Sequence, residues 1–428
     1  MFDHEIGQAM YNLIKKLFPL CRSITGQGVR ETLRCLQQHI PLTIHEVPTH
    51  TRVFDWRIPP EWVIREAYVK NSSGEKIIDM ATNNLHVVGY AAPIHKVVGL
   101  DELQQHLFSL PEKPNAIPYV TSYYEHCSGF CLTHAQRTAL GEGQYEMYID
   151  SDFIEGSLSY GELIISGKST KEILLSTNIC HPSMANNELS GPVVLTFLAK
   201  WLLSEKRNCT YRLIFVPETI GSLAYLSRHL EEMKKNTIAG FNVVCVGDDR
   251  AYSFLPSRNG QTLADKAALN VLRCYQPNFV KYSFLDRGSD ERQYCFPGID
   301  LPVVSIMRTK YGRFPEYHTS LDDLKVVSAV GLTGGYTIIQ QCLWAIEQNK
   351  TYKIKCLGEP QLGQRGLYPN IRDKTMALDV KNLKNFITYA DGTRDMIDIS
   401  DITKMPVAQL VEYATKLNAV GLLEEYEM

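Results

Sequence analysis

The stretch Ile173 to Gly191, ILLSTNICHPSMANNELSG, constrains the fold more than any other part of this chain. Its apolar start, Ile173, Leu174 and Leu175, has the character of a strand buried on both faces. The run from Ser190 to Ser204, SGPVVLTFLAKWLLS, is apolar almost all round, as a helix is when a sheet covers it. Further apolar runs follow at RLIFV (Arg212 to Val216), FNVVCV (Phe241 to Val246) and LPVVSIM (Leu301 to Met307), with helical patterns between them. Strands and helices alternating at short spacing predict an α/β fold: a mainly parallel mixed sheet with helices on both faces and right-handed crossovers.

The residues that carry chemistry cluster just past these runs. His181, Asn187 and Glu188 follow the first, Glu218 in PETIGS follows the second, and His318 follows the last in RTKYGRFPEYHTSLDDL. In open α/β sheets ligands collect outside the carboxyl ends of strands. Singly, each residue has a plain structural role, His181 ending a strand and Glu188 opening a helix. Together, imidazole and carboxylate suit zinc, and catalytic zinc takes three protein ligands plus water, with a Glu nearby as base.

The motifs CHPSMANNELSGP, PETIGSLAYL, VGDDRAYS, RGSDERQY and YHTSLDDL resemble a bacterial aminopeptidase-like family of the zinc aminopeptidase clan. Members carry an inserted domain of unknown function and a C-terminal winged helix, and the resemblance spans nearly the whole chain. It implies a zinc-dependent hydrolase of amide bonds, most directly an aminopeptidase, with Glu218 as general base and a peptide or small amide as substrate. The wider clan holds two metals. This chain has Asn187 where the clan has a bridging Asp, and Thr219 where it has a second Glu. Both changes remove anionic ligands, which leaves one zinc per chain, held by His181, Glu188 and His318, with Asn187 and Asp248 (or its neighbour Asp249) as second-tier candidates. On the RGSDERQY loop, Asp290 and Arg287 are candidates for substrate binding, Asp290 through a free α-amino group; the other reading is a surface loop with an internal Asp–Arg pair. Tyr317 is a candidate oxyanion donor. Two alternatives stand beside the aminopeptidase: a zinc amidase or deacylase acting on a sugar or amino-acid conjugate, and a non-catalytic binding or regulatory descendant. The lost acids favour the descendant; retention of His181, Glu218 and His318 together argues against it.

A chain of 428 residues exceeds one hydrophobic core. Residues 1–51 and 153–350 are expected to form a discontinuous catalytic domain, 52–152 a β-rich insert, and 356–428 a winged helix. In the first segment Arg22 and Arg30 read as structural or exposed rather than as substrate contacts. Within the insert, runs such as WVIREAYV and LHVVGY read as hairpin strands and FDWRIPPEW as a rigid packed loop rather than an aromatic slot; the insert's role is open, and Tyr123, Tyr124 and His126 are the residues to watch if it forms a wall that limits substrate length. The last unit carries eight Lys/Arg against eleven Asp/Glu, and its third helical stretch has only Glu412 and Lys416 as charges. Phosphate contact dominates non-specific affinity for DNA, so no nucleic acid is expected; protein contact is favoured, including a homo-oligomer formed through the insert or the winged helix. No apolar run spans a bilayer, so no membrane partner is expected. Eleven cysteines without framework spacing, in a chain whose start lacks a signal-peptide pattern, lead to the expectation of reduced thiols in the cytoplasm.

Overall fold

The strand Glu172–Asn178 is buried along its whole length and pairs in parallel with Thr210–Val216 on one side and Thr237–Asn242 on the other. In the computed structural model, which describes residues 4–123, 125, 127–367 and 374–426, it lies inside an eight-stranded sheet. The order across that sheet is Thr43–Pro48, Ser157–Ile165, Thr210–Val216, Glu172–Asn178, Thr237–Asn242, Val303–Met307, Ser253–Leu255 and Val280–Lys281. The middle is parallel; Ser157–Ile165 runs against both its neighbours, and Ser253–Leu255 runs against Val303–Met307. Glu172 is a charged residue in a buried strand. It is tolerated because Arg212, on the adjacent strand, meets its carboxylate in a bidentate pair at 2.6 and 2.9 Å.

A turn of π-helix, Ala185–Leu189, leads into the helix Ser190–Leu203. Gly191 allows the start of that helix to lie directly on the strand ends, since a Cβ there would stand 2.3 Å from Val243 O and 2.4 Å from Thr177 Oγ1. The π-turn is thereby held at the carboxyl ends of the parallel strands, and single π-turns within helices recur at functional sites.

Between Thr43–Pro48 and Ser157–Ile165 the chain builds a four-stranded antiparallel sheet in the order Lys76–Asp79, Glu61–Lys70, Gln144–Ile154, Ile94–Gly99. The hairpin across NSSGE is there. LHVVGY is not a strand: Asn83 Oδ1 accepts Leu85 N at 2.9 Å and starts a short 3-10 turn, and Tyr90 has a φ of 65°. Local side-chain capping outcompetes the ladder here.

The chain divides into two compact units, Met1–Gly260 with Val280–Tyr336, and Gln261–Phe279 with Thr337–Met428. The first contains both sheets above. The second contains the helices Lys374–Tyr389, Met396–Thr403 and Val407–Ala419 and a three-stranded antiparallel sheet in the order Asp391–Asp395, Thr351–Ile354, Leu423–Glu425. Its middle strand precedes residue 356, where the sequence reading begins this unit. It also includes the helix Leu263–Tyr275, whose Asn270 Nδ2 donates to Ser400 Oγ at 2.8 Å. Among the described residues no helix is long and apolar enough to cross a membrane.

Candidate active site

Three strands of the parallel set deliver one candidate each at the same edge of the sheet: His181 after Glu172–Asn178, Glu218 after Thr210–Val216, and His318 in the loop after Val303–Met307. The rings of His181 and His318 are 5.4 Å apart, centre to centre, and Glu218 Oε2 is 3.7 Å from His181 Nε2. All three line a cavity of about 300 Å³, together with Tyr119, Tyr123 and Arg292.

Each of these side chains is held from behind. His181 Nδ1 is 2.7 Å from Glu188 Oε2, and its backbone carbonyl accepts a bond of 2.9 Å from the buried Arg22. Arg22 also donates to Leu17 O at 2.8 Å, and Arg30 pairs with Glu61, so both arginines are structural. Burial works against a charge on His181, but Cys180 and Glu188 outweigh it and hold the imidazole pKa well above its usual value. His318 has a φ of 55°, Tyr317 stacked on its face at 3.9 Å and Tyr119 edge-on at 5.3 Å. Its Nε2 is buried without a hydrogen-bond partner. Burial, helped by His181, holds the His318 pKa down to about 3, so this ring is neutral and keeps a lone pair.

Glu218 is aimed by an unusual turn. Thr219 has φ 66° and ψ −73°, and Ile220 N donates to Glu218 O at 2.8 Å, a γ-turn of the rare positive-φ kind. A β-branched residue there costs about 1–3 kcal/mol and persists only where its surroundings fix it. They do: Thr219 N donates to Asp290 Oδ1 at 2.7 Å, Ser222 Oγ to the same oxygen at 2.9 Å, and Arg292 Nη2 to Thr219 Oγ1. Burial raises the Glu218 pKa, with His181 and Arg292 pulling the other way. The loop supplying Asp290 and Arg292 is pinned by buried Glu291, whose carboxylate accepts Gly288 N, Ser289 N and Tyr311 Oη on one oxygen and Asn242 Nδ2 and Ser305 Oγ on the other, at 2.6–3.2 Å.

The other expected residues are placed differently. Glu188 Oε2 meets the Nδ1 edge of His181, whereas Nε2 is the nitrogen beside Glu218; the other Glu188 oxygen, Oε1, is buried with no hydrogen-bond partner. Donor atoms of Cys180, His181 and Glu188 do lie within 4.8 Å of one another. The Cys180 thiol is pushed up to about 11 by burial in the metal-free protein and accepts Glu218 N. Asp248 is committed to Thr309 N, Thr309 Oγ1, Asn186 Nδ2 and Arg250 N, and Asp249 to Ser328 Oγ. Asn187 is buried, with its amide against Met184 and Cys245. Asp290 braces Thr219 from behind instead of lining the cavity. Arg287 is exposed, its guanidinium over the Phe284 ring at 5.1 Å, so it does not reach the site. Tyr317 supports the His318 ring. Tyr124 and His126 lie outside the described residues. FDWRIPPEW is not simply packed: with Tyr90, Tyr123 and Phe153 it walls a second cavity of about 620 Å³, which shares Trp56 and Tyr123 with the first.

Four residues escaped the sequence reading. Arg292 and Glu291 stand in the same RGSDERQY motif, two and one positions past Asp290. Asp322, in YHTSLDDL, accepts Asn186 N and Asn187 N at 2.8 Å each and so ties the His318 loop to the π-turn. Tyr119 comes from the insert, where no local pattern marks it.

Residues 11–349 match the family described as a domain of unknown function (DUF4910), and residues 350–425 match a winged helix-turn-helix. A Clostridium acetobutylicum protein provisionally named for polysaccharide biosynthesis, with an aminopeptidase-like domain, is 44% identical over 424 residues, 98% of this chain and 97% of that one. The crystal structure of a Clostridium acetobutylicum protein provisionally named a peptidase aligns with a TM-score of 0.93 and 43% identity, over 99% of this chain and 97% of the other. A zinc aminopeptidase from Bacillus subtilis aligns with a TM-score of 0.61 at 10% identity, over 81% and 95% of the two chains, a likeness of fold alone. The chain belongs to the DUF4910 family, an aminopeptidase-like α/β fold followed by a winged helix.

Proposed function

We propose that this protein is a zinc-dependent hydrolase that cleaves an amide bond in the cavity between His181, Glu218 and His318. The observation that carries the reading is the buried, partnerless Nε2 of His318 beside His181, whose own Nε2 faces Glu218 at 3.7 Å. An imidazole nitrogen left unmet in a closed space is costly unless something completes it. His318 is neutral, and His181, whose Nδ1 is engaged by a carboxylate, would give up its Nε2 proton to an ion; this is the donor chemistry of zinc-binding histidines and their outer partners. His181 and His318 would supply two ligands of the ion, one fewer than the three protein ligands usual for catalytic zinc, with Glu188 orienting His181. One ion suits the chain better than two, because Asn187 and Thr219 bring no charge and Asp248 is committed elsewhere. Zinc bound there supplies a Lewis acid for water and for the scissile carbonyl. Glu218 accepts the proton of the attacking water as the O–C bond forms and returns it to the amine as the C–N bond breaks.

A second reading of the same chemistry, an amidase or deacylase on a sugar or amino-acid conjugate, is favoured by two placements. Asp290, the candidate for an N-terminal amine, does not line the cavity and spends Oδ1 on Thr219 N and Ser222 Oγ, and the larger aromatic-walled cavity shares Trp56 and Tyr123 with the first. The relative named for polysaccharide biosynthesis lends it weight. A panel of aminoacyl and N-acyl chromogenic amides, assayed with zinc, separates the two by which set turns over. Glu218→Gln is expected to keep zinc and lose about 10²–10⁴-fold in kcat. Turnover of neither set by zinc-loaded protein, or near-normal turnover by Glu218→Gln, contradicts the proposal.

A further inference from the structure

The geometry points to Arg292 as the residue that binds a negatively charged oxygen of the substrate at the scissile bond. The amide-hydrolase reading supplies the source of that oxygen; the anion site itself stands on Arg292 alone. Among the described residues lining the cavity, Arg292 is the one with a permanent charge. Its guanidinium hydrogen-bonds Thr219 Oγ1 through Nη2, while Nε is buried with no partner. Buried donors of a cation are ordinarily satisfied, so an unpartnered Nε on a guanidinium that lines the cavity leaves that group's hydrogen-bonding incomplete. A guanidinium presents its N–H groups as a planar fork, which matches a carboxylate or an oxyanion better than a neutral group.

The position of that fork is fixed in advance. Arg292 lies on the short helix Glu291–Tyr294, and the neighbouring Glu291 carboxylate ties the start of the loop to Asn242, Ser305 and Tyr311. Asp290 and Arg292 both grip Thr219, the residue next to Glu218. Donors that need no rearrangement when charge develops are those that stabilise it most. The anionic oxygen has two possible sources. One is a carboxylate the substrate already carries. The other is the attacked carbonyl: the water oxygen bonds to carbon, the π pair moves onto the carbonyl oxygen, and Arg292 faces that charge. The pair then returns as the C–N bond breaks and the proton held by Glu218 passes to the amine.

Binding of phenylacetate, followed by calorimetry on the full chain both zinc-loaded and metal-stripped, tests the site without turnover, with phenylacetamide as the neutral control. Wild-type protein is expected to bind phenylacetate in both states, and Arg292→Gln to bind it about 10- to 100-fold more weakly, as for a hydrogen-bonded charged partner. Phenylacetamide is expected to be indifferent to the substitution. Equal binding of phenylacetate by Arg292→Gln and wild type overturns the assignment, as does binding that needs zinc and ignores Arg292. If Arg292→Gln does not fold, Arg292→Lys carries the test: it keeps the charge, loses the fork, and is expected to weaken binding about 10-fold. Kinetics on any amide that is turned over then name the source. A loss confined to kcat, alike on neutral and carboxylate-bearing amides, identifies the oxyanion; a rise in KM restricted to carboxylate-bearing amides identifies the substrate's own carboxylate. Absence of all turnover with phenylacetate binding intact defeats the hydrolase reading and leaves the anion site standing.

Discussion

Glu188 Oε2 lies 2.7 Å from His181 Nδ1, on the ring edge away from the Nε2 that faces Glu218. A carboxylate in that position fixes the tautomer and aim of the imidazole and raises its basicity, as outer partners of metal-binding histidines do. Glu188→Gln keeps an acceptor and removes the charge. Zinc affinity is expected to fall about 10- to 100-fold, measured by competition with a chromogenic chelator. Unchanged affinity would show that Glu188 has no part in aiming His181.

Glu291 is the anchor of the Asp290–Arg292 loop, and its carboxylate serves five donors. Glu291→Ala strands several buried donors at once. A loss of roughly 3 kcal/mol or more is expected, since each buried group left unmet costs about 1–3 kcal/mol. Denaturant unfolding measures it, and Glu291→Gln should recover part of the loss. A change under about 0.5 kcal/mol, within the range of ordinary surface substitutions, would mean that the loop is held by something else.

Asp322 gives a pH dependence with a defined sign. Burial raises its pKa to about 7, against the pull of Asn186 N and Asn187 N, while an unfolded Asp titrates near 3.9. A carboxyl raised in the folded state contributes stability that is complete below about pH 4 and is lost as pH rises through 7, at about 1 kcal/mol per pH unit inside that window. Metal-free wild-type protein should therefore lose stability relative to Asp322→Asn as pH rises from 4 to 7. Parallel curves for the two proteins would remove Asp322 as the cause.

The strands of the parallel set were legible because both of their faces are buried and their sequences are apolar without alternation, as in EILLSTN and LPVVSIM. His181, Glu218 and His318 were legible for a related reason, since each follows such a run directly. The edge of the His181 ring that Glu188 meets was not. A carboxylate seven positions on can reach either nitrogen, and the π-turn 185–189, which selects Nδ1, leaves no periodic mark in ANNEL. Tyr119 was equally hidden, because its backbone N–H meets His318 O at 3.0 Å only after the insert has folded back onto the sheet edge. In RGSDERQY the loop residues Arg287 and Asp290 drew the assignment, whereas the short helix Glu291–Tyr294 turns Arg292 toward the cavity and leaves Arg287 outside.

The winged-helix unit should not bind duplex DNA appreciably. Its helix Val407–Ala419 carries only Glu412 and Lys416 as charges, too few to neutralise several phosphates. Fluorescence anisotropy with a labelled random duplex at low salt should show no binding at micromolar protein. Binding that weakens steeply with added salt would reverse this reading.

The central claim is that His181 and His318 share a single cation. Elemental analysis after chelator stripping and zinc reloading tests it directly, on wild type, His181→Ala and His318→Ala. One zinc per chain in wild type, and loss of that zinc in both variants, is the predicted result; two zinc ions per chain, or a zinc content that either alanine leaves unchanged, would contradict it.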